Sequence, residues 1–598
     1  MRTLLRFTII ALATALLPRL APAETIADKL PQEMCIGFWI DDLTAAKKDA
    51  DKNAFYRWLT DDKKGVGSDS RAVGRTMGRV PFSAADPLQS VWPQLLPVVD
   101  GVLTSSIESA SDFFQFTMKD IDETFSGPVA VYATLFDMTA DKDQYNYEWD
   151  TIFQAQFKEE ERGKVERFVA KSLEKVPADA EKREVEYLGF PARRIEFYYD
   201  VTDESGMSTQ FSTVVEYAYV NDYIVIAEGR SEPLRKAIRS LTQSGEGAAS
   251  LTRTNDYRRG AEALGDAKGM FHGYIDIEHF AKEFKDIKLD RESRMIDALG
   301  LGNSGPLMFN CSIDGKGAAL NVALVAEDKP SGIFNLVAHS PEDKLENLAL
   351  VPSDAYGFGS FSLNGSELLS IQEKLFQGPK GKLNLLRATL ENSKAALGVD
   401  LEKDIIAQLL GEGAIYVRRI DGQDRSSVLI PFGGGQSTVD SMNALLRKIT
   451  SGDLMILDLQ PSDVGGITVW DSGKVITKDA VPLSIAATAK GILVSNDASE
   501  IRDQIRRITA GESDNVVATN RNSALARIPR EGLRAIAYTP AKTAERDWGQ
   551  MMKGAKKDPT ASSEQDVAAA IGDSWWALYS RPRGMLFTFT IEQPQGAN

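Results

Sequence analysis

The residues best suited to metal binding or acid–base chemistry lie close together near the middle of the chain. His272 and His279 are separated by six residues, which include Asp276 and Glu278. Imidazole nitrogens and carboxylate oxygens bind zinc when they converge on one point. The surrounding pattern predicts a strand at His272 and a helix that begins near His279, so the two rings need not converge. We therefore predict no metal site.

Two glycine-rich segments have some features of phosphate-binding loops. Gly300-Leu-Gly-Asn-Ser-Gly305 has the spacing of a dinucleotide-binding fingerprint, which must follow a strand and open a helix. Residues 291–299 have a helical pattern instead, so these glycines are predicted to cap that helix. Gly433-Gly-Gly-Gln-Ser437 precedes a helix but lacks the lysine of a phosphate-binding loop. Neither segment predicts a cofactor.

Nucleophilic catalysis has few candidate residues in this chain. Three histidines and two cysteines are present, and no Gly-x-Ser-x-Gly motif occurs. The 85 acidic residues leave a carboxylate-based hydrolase open, because spacing along the chain does not fix the distance between two carboxylates. We name no catalytic residue. The composition disfavours an enzyme without excluding one.

Composition and charge limit the class of protein. The chain has 598 residues, of which 43% are hydrophobic, enough for two to four folded cores rather than a disordered tail. It carries 69 basic and 85 acidic side chains, a net charge of −16. Such a surface repels phosphate backbones, so nucleic acid is not expected as a partner.

Residues 1–23 have the three parts of a secretory signal peptide. Arg2 and Arg6 form a basic start, residues 7–17 an apolar run, and Ala21-Pro22-Ala23 a small-residue cleavage site. The apolar run is too short to cross a bilayer of about 30 Å at about 1.5 Å per residue. No second run of spanning length follows, so we expect no transmembrane segment after cleavage. The expected location is the periplasm or the extracellular space.

The two cysteines, Cys35 and Cys311, allow two arrangements. An oxidising compartment favours a disulfide, which would close a loop of most of the first half and stabilise the fold by on the order of 5 kcal/mol. Cysteine also behaves as a small hydrophobic residue, so two buried free thiols are equally compatible with the sequence.

Comparison of the chain with itself indicates an internal duplication. Residues 223–239 and 490–506 share the pattern of a buried strand, a polar turn and a helix, at a shift of 267 residues. At the same shift Gly317 falls on Gly584. We therefore predict two tandem homologous halves after the signal peptide, which comprise residues 24–338 and 339–598.

Periodicity within each half mixes helices with hairpins. Val165, Phe168 and Val169 recur at helical spacing. Two pairs of apolar runs flank the turn sequences Asp314-Gly-Lys-Gly317 and Arg581-Pro-Arg-Gly584, which predicts antiparallel hairpins. We therefore predict an α+β fold, in which each half has a mainly antiparallel sheet with helices packed on one face.

Several segments together resemble a known class of proteins. Gly398-Val-Asp-Leu-Glu-Lys-Asp404 precedes Gly411-Glu-Gly-Ala-Ile-Tyr416, and the strand Ile492-Leu-Val-Ser495 leads into a helix. With the leader, these features resemble a class of exported bacterial proteins that carry a domain of unknown function. The resemblance covers most of the chain after the leader and supplies no catalytic residues. The first half departs from it, with Phe113-Phe-Gln-Phe116 in place of Leu397-Gly-Val-Asp400.

Aromatic residues distinguish the two halves. Residues 113–223 contain 21 aromatics, whereas the corresponding residues 397–490 contain three. Tyr145, Tyr147 and Trp149 alternate along a predicted strand and are our candidate ligand-binding residues, for an apolar ligand, a glycan or a peptide. The alternative is a bulkier core with aromatic cross-strand pairs.

These observations predict an exported, non-enzymatic binding or scaffold protein of the bacterial cell envelope. The candidate partners are an envelope protein or an apolar ligand. Two other functions stay open, a carrier of an apolar or amphipathic ligand and a carboxylate-based hydrolase.

Overall fold

The fold is described by a computed structural model that covers most of the chain beyond residue 24. The signal peptide predicted at residues 1–23 lies outside the described residues. The structure describes residues 25–53, 118–141, 144–174, 176–202, 208–243, 250–265, 269–286, 290–302, 304–326, 331–336, 346–376, 383–450, 458–472, 482–511, 514–519, 524–541 and 572–593.

Antiparallel strands are the most abundant elements of the described structure. They are numbered β1 to β20 in chain order: Ile36–Ile40, Val129–Asp141, Gln144–Gln156, Glu181–Tyr187, Phe190–Thr202, Ser208–Val220, Tyr223–Glu228, Phe271–Ile275, Leu307–Asp314, Gly317–Val325, Gly357–Asn364, Leu410–Ile420, Gln423–Pro431, Gln460–Val464, Ile467–Asp471, Ser484–Thr488, Gly491–Ser495, Leu533–Thr539, Ser574–Arg581 and Gly584–Glu592.

Helices occur between many of these strands. Within the described residues they are numbered α1 to α14: Leu43–Ala50, Met118–Thr124, Arg162–Ser172, Pro233–Thr242, Asn255–Leu264, Ile277–Asp286, Asp290–Ala298, Ile333–Leu336, Gly365–Phe376, Leu383–Leu397, Gln436–Thr450, Ala498–Ala510, Val516–Thr519 and Ala524–Arg527. Helices and a large antiparallel sheet together confirm the predicted α+β class.

Hydrogen bonds join the strands into one sheet with a repeated order. The first ten strands lie in the order β4-β5-β6-β7-β3-β2-β1-β8-β9-β10. The last ten lie in the order β14-β15-β16-β17-β13-β12-β11-β18-β19-β20. Each strand of the first series therefore has the same neighbours as the strand ten places later.

The two series meet along β10 and β20, which pair over their full length. Gly317 lies opposite Glu592, and Val325 lies opposite Gly584. Gly584 and Glu592 each follow their counterparts Gly317 and Val325 by the same shift of 267 residues. The pairing is therefore symmetric about its central pair, Asn321 and Thr588, in the way that a two-fold dimer interface is symmetric.

Helices cover both faces of the sheet in the first half, so the prediction of helices on one face was wrong. Phe153 of β3 packs against Phe168 of α3, with ring centroids 5.3 Å apart. Its neighbour Ile152 is directed to the opposite face and belongs to the same core cluster as Leu234 of α4. Because a central strand with apolar residues at consecutive positions exposes both faces to water unless both are covered, one layer of helices is not enough.

The two outermost strands are protected against further pairing by their composition. β4 has the sequence Glu-Lys-Arg-Glu-Val-Glu-Tyr and is largely exposed. β14 contains Pro461, which lacks a backbone N–H. Charged residues and proline at sheet edges oppose edge-to-edge aggregation.

Candidate functional site

The two histidines of the candidate metal cluster are associated with opposite faces of the sheet. His272 of β8 stacks on Trp39, with ring centroids 5.6 Å apart, and its Nε2 lies 3.3 Å from Oδ2 of Asp41. His279 lies in the first turn of α6, a helix whose Phe280 and Ala281 pack in the core cluster on the other face. In the described part of the chain, no group of three or more His, Cys, Asp or Glu residues is arranged to hold a metal ion.

A polar pocket of about 450 Å³ lies at the start of α6. It is lined by two acidic residues, one histidine, two lysines and a glycine, namely Asp276, Glu278, His279, Lys282, Lys285 and Gly302. The pocket therefore contains three of the four residues of the candidate cluster, without His272.

Asp276 has a structural role at the edge of this pocket. Its Oδ1 accepts a hydrogen bond of 3.0 Å from the backbone N–H of His279, so it caps the start of α6. Burial raises the pKa of Asp276, while the backbone N–H of His279 opposes the rise. Lys285 is bound to Asp297 at 2.9 Å. The pocket thus has groups of both signs and can accept a small polar molecule.

The first glycine-rich segment has the helix-capping role that the sequence predicts, and the second lies between a strand and a helix. Gly300 follows α7 with a φ of +73°, the left-handed conformation of a helix cap. Residues 432–435 connect β13 to α11.

Cys35 and Cys311 are both buried free thiols, so the disulfide alternative is not realised. The strand register gives the reason. Cys35 immediately precedes β1, at the end where Ile36 pairs with Ile275, whereas Cys311 pairs with Phe271 at the other end of β8. The offset along the strands is roughly 15 Å, well beyond the Cα separation of about 7 Å that a disulfide tolerates. Burial raises the pKa of each thiol to about 12.

The candidate ligand-binding residues lie on an arm of the sheet. Tyr145, Tyr147 and Trp149 occupy alternate positions of β3, in register with residues 140, 138 and 136 of β2. The predicted strand is therefore confirmed at the backbone. This part of β3 extends beyond the end of β7, its neighbour on the other side, because the last paired residues of β7 and β3 are Glu228 and Thr151.

A second arm extends beyond β7 on its other side. β6 pairs with β7 only from Val215 onward, so residues 208–214 of β6 continue past Glu228 in partnership with β5. Residues 144–150 of β3 and residues 208–214 of β6 therefore face each other across the position where β7 would continue. We call the space between these two segments the hairpin gap.

Glu228, the last residue of β7, lies at the closed end of the hairpin gap and has a carboxyl group with a raised pKa. The hydroxyl of Thr213 donates a hydrogen bond of 2.9 Å to Oε1 of Glu228. Burial raises the pKa of Glu228 to about 7, and this hydrogen bond opposes the rise. Glu228 therefore changes its charge near neutral pH.

An ion pair joins the sheet to α4 near the end of β7. Nζ of Lys236 lies 3.3 Å from Oδ2 of Asp150 and 2.8 Å from the hydroxyl of Ser231. The other Asp150 oxygen accepts a hydrogen bond of 3.3 Å from the backbone N–H of Ser231. Burial raises the pKa of Asp150, and Lys236 opposes the rise. The pair fixes the turn that follows β7.

The second half has a more deeply buried network between its sheet and α12. Arg418 of β12 donates a hydrogen bond of 2.8 Å to Glu500 of α12 and another of 2.8 Å to Asp503. The hydroxyl of Tyr416 donates to the second Glu500 oxygen at 2.9 Å. Glu500 has 0% side-chain exposure, and Asp354 extends the network to the surface at 3.4 Å. Every partner is accounted for, so this network is structural.

Comparisons with known proteins give little similarity. No family model matches the chain, and no curated protein matches it. A crystal structure of TP0453, crystal form III, aligns with 10% sequence identity over 55% of this chain and 87% of that one, with a TM-score of 0.19. In the described residues no helix has both the length and the apolar character needed to cross a membrane.

Sequence reasoning missed the hairpin gap, Glu228 and the Arg418 network. The gap depends on β7 being seven residues shorter at one end than both of its neighbours, and the neighbours are known only from the folded sheet. For the Arg418 network a signal was present, since Arg418 directly follows the apolar run 414–417 of β12.

Proposed function

We propose that the protein is an exported, non-enzymatic binding or scaffold protein of the bacterial cell envelope. The hairpin gap is the observation that carries this proposal. Both arms of the gap present backbone groups that have no strand partner among the described residues, and such edges bind other chains readily. The aromatic residues of β3 lie on one of these arms.

Export is proposed from the leader. Arg2 and Arg6, the apolar run and the Ala21-Pro22-Ala23 site support cleavage after residue 23 and a periplasmic or extracellular location. Mass spectrometry of the mature protein from an osmotic-shock fraction tests it, with an N-terminus at Glu24 expected. Retention of residues 1–23 in a cytoplasmic fraction would contradict export.

We also propose that residues 24–338 and 339–598 are tandem homologous halves. The proposal is supported by the repeated strand order and by the symmetric pairing of β10 with β20 about Asn321 and Thr588. Superposition of the two halves in an experimental structure tests it. Alignment of all ten strand pairs is expected, and a different strand order in either half would contradict the duplication.

Binding through the hairpin gap can be tested by site-specific crosslinking in cells. A photoreactive residue at Tyr147 should give a crosslinked adduct of defined mass with an envelope component. The matched control is Leu410, an exposed residue on β12 in the second half. Equal crosslinking from both positions, or turnover of an envelope substrate that one point substitution abolishes, would contradict the proposal.

The carrier alternative uses the same arm of the sheet. A carrier of an apolar or amphipathic ligand would hold it against Tyr145, Tyr147 and Trp149. Native mass spectrometry of gently purified protein separates the two functions. A copurifying small molecule that is lost when Tyr147 is replaced by serine would favour the carrier.

The hydrolase alternative would use the polar pocket at the start of α6. Asp276 has a raised pKa and lines the pocket with Glu278, so acid–base chemistry would occur there. Replacement of Glu278 by glutamine should abolish any hydrolysis of a glycan or peptide panel. Activity that survives this change would exclude the pocket as its source.

A further inference from the structure

We propose that the hairpin gap binds one extended polypeptide segment of a partner protein, which continues the line of β7 and pairs with β3 and β6 at once. This inference rests on the proposed binding function and adds the class of ligand. The evidence for it is the width of the gap, the backbone N–H and C=O groups that face it and the residue types along its two arms.

The width of the gap is that of one strand. β3 and β6 are the two neighbours of β7, so their backbones lie two strand spacings apart, about 9.5 Å, where β7 ends. Each arm extends seven residues past Glu228, and of these Val214 of β6 already accepts a hydrogen bond from the N–H of Gly229. An extended chain that fills the space is antiparallel to both arms, because β7 is antiparallel to both.

The backbone groups that face the gap follow from the register. The N–H of Phe157 donates to Asp222, so odd-numbered residues of β3 have their backbone groups on the side of β7. By the same alternation, the backbone groups of Tyr145, Tyr147 and Trp149 face the gap. The aromatic positions identified from the sequence are thus also the positions that would pair with an added strand.

The opposite arm, on β6, presents a matching row of backbone groups to the gap. The N–H of Gly229 donates to the carbonyl of Val214 at 3.0 Å, so even-numbered residues of β6 face β7. Residues 208, 210 and 212 therefore face the gap. Nη2 of Arg230, an exposed residue, donates to the carbonyl of Ser212 at 3.2 Å. This side chain supplies a donor where an added strand would supply its own N–H.

Residue types along the arms indicate the pattern of the bound segment. By strand alternation, positions 145, 147 and 149 of β3 and position 211 of β6 share one face of the sheet, and the sequence has Tyr, Tyr, Trp and Phe at them. The positions between them on β3 alternate to the other face and include position 148, a glutamate, and Asp150, which is already paired with Lys236; neither arm contains a basic residue. Cross-strand pairs favour apolar residues beside aromatics and opposite charges beside acids. The segment is therefore expected to alternate apolar and basic residues.

A synthetic octapeptide that alternates valine and lysine tests the inference on the full mature chain. Hydrogen–deuterium exchange should slow by about tenfold or more in residues 144–150 and 208–214 when it binds. Two control peptides have the same composition. One is N-methylated at alternate residues and cannot pair on both sides, and the other has four valines followed by four lysines.

Backbone variants separate pairing from side-chain contact. Tyr147→Pro and Gln210→Pro each remove one N–H that faces the gap, and neither N–H bonds within its own hairpin. Each should weaken octapeptide binding about tenfold, while Tyr147→Val, which keeps the N–H, should change it less than about threefold. Circular dichroism and thermal unfolding verify that each variant folds.

Three results would overturn the inference: no protection of the two arms, equal protection by the N-methylated peptide, or unchanged affinity in a folded proline variant. If the octapeptide does not bind but the Tyr147 crosslink to an envelope component persists, the strand inference fails and the binding function stands. Loss of both, with substrate turnover, would remove the proposed function itself.

Discussion

The two halves join sheet to helix with ion pairs of opposite polarity. In the first half the basic residue, Lys236, is on α4 and the acidic residue, Asp150, is on β3. In the second half the basic residue, Arg418, is on β12, and the acidic residues, Glu500 and Asp503, are on α12. The helices α4 and α12 are thus both joined to the sheet by ion pairs, but with opposite polarity and through strands that are not counterparts, β3 and β12.

The two contacts also differ in depth. Glu500 is fully buried and Arg418 has 9% side-chain exposure, whereas Lys236 has 23%. Burial and several charged partners together raise the cost of breaking a pair, because a charge left without its partner cannot be solvated. Removal of one partner should thus cost far more free energy of unfolding at the second contact than at the first.

A second difference lies at the ends of the strands. In the first half both neighbours of β7 continue past it and leave the hairpin gap. In the second half Ser484, the first residue of β16, pairs with Ser495, the last residue of β17. Within the described residues, which resume at residue 482, β16 has no extension beyond that pair and no second arm is present. Binding by strand addition is therefore expected of the first half alone.

The largest predicted effect is at Glu500. Replacement by glutamine leaves Arg418 with a weakened partner in a buried site and should lower the free energy of unfolding by about 3–5 kcal/mol. Urea denaturation at pH 7 measures it. A loss below about 1 kcal/mol would mean that the two contacts do not differ as their burial indicates.

Glu228 should make the stability of the first half depend on pH. Its pKa of about 7 in the folded protein lies above the ordinary value of 4.5. The unfolded chain therefore releases this proton at lower pH than the folded one does. The stabilisation is present below about pH 4.5 and is lost as the pH rises through 7.

Glu228→Gln should remove this dependence and raise the free energy of unfolding at pH 8 by up to about 3 kcal/mol relative to the wild type. Denaturation at pH 5 and pH 8 measures the difference. If the free energy of unfolding changes with pH by the same amount in the variant and the wild type, the pKa of Glu228 is not raised in the folded protein.

Asp150→Asn should have a smaller effect than Glu500→Gln. Lys236 retains access to water and to Ser231, so loss of its partner should cost about 1–2 kcal/mol. The same urea experiment at pH 7 measures it. A cost equal to that of Glu500→Gln would break the comparison between the halves.

The smallest effect is expected at Asp354, the exposed end of the Arg418 network. Its side chain is 60% exposed, so Asp354→Asn should cost less than about 0.5 kcal/mol. It is the matched control for Glu500→Gln, since both changes remove one carboxylate from Arg418. A loss above about 2 kcal/mol would locate the stability of the network at its surface.

Much of the fold was predictable from local pattern. The hairpin around Asp314-Gly-Lys-Gly317 forms between β9 and β10, as predicted. Val165, Phe168 and Val169 are the buried side of α3. The candidate site was predictable only in part, because alternation in β3 identified aromatic positions without showing that their backbone groups face a gap.

The sequence by itself determined the local elements, because hydrophobic period and turn residues act over a few neighbouring positions. Only the tertiary structure decided which strands are neighbours. Strand pairing joins residues far apart in the chain, such as Phe153 with Ile226, and alternation states which face a residue occupies but not its partner. The separation of Cys35 from Cys311, the cover on both faces of β3 and the hairpin gap all follow from those long-range pairings.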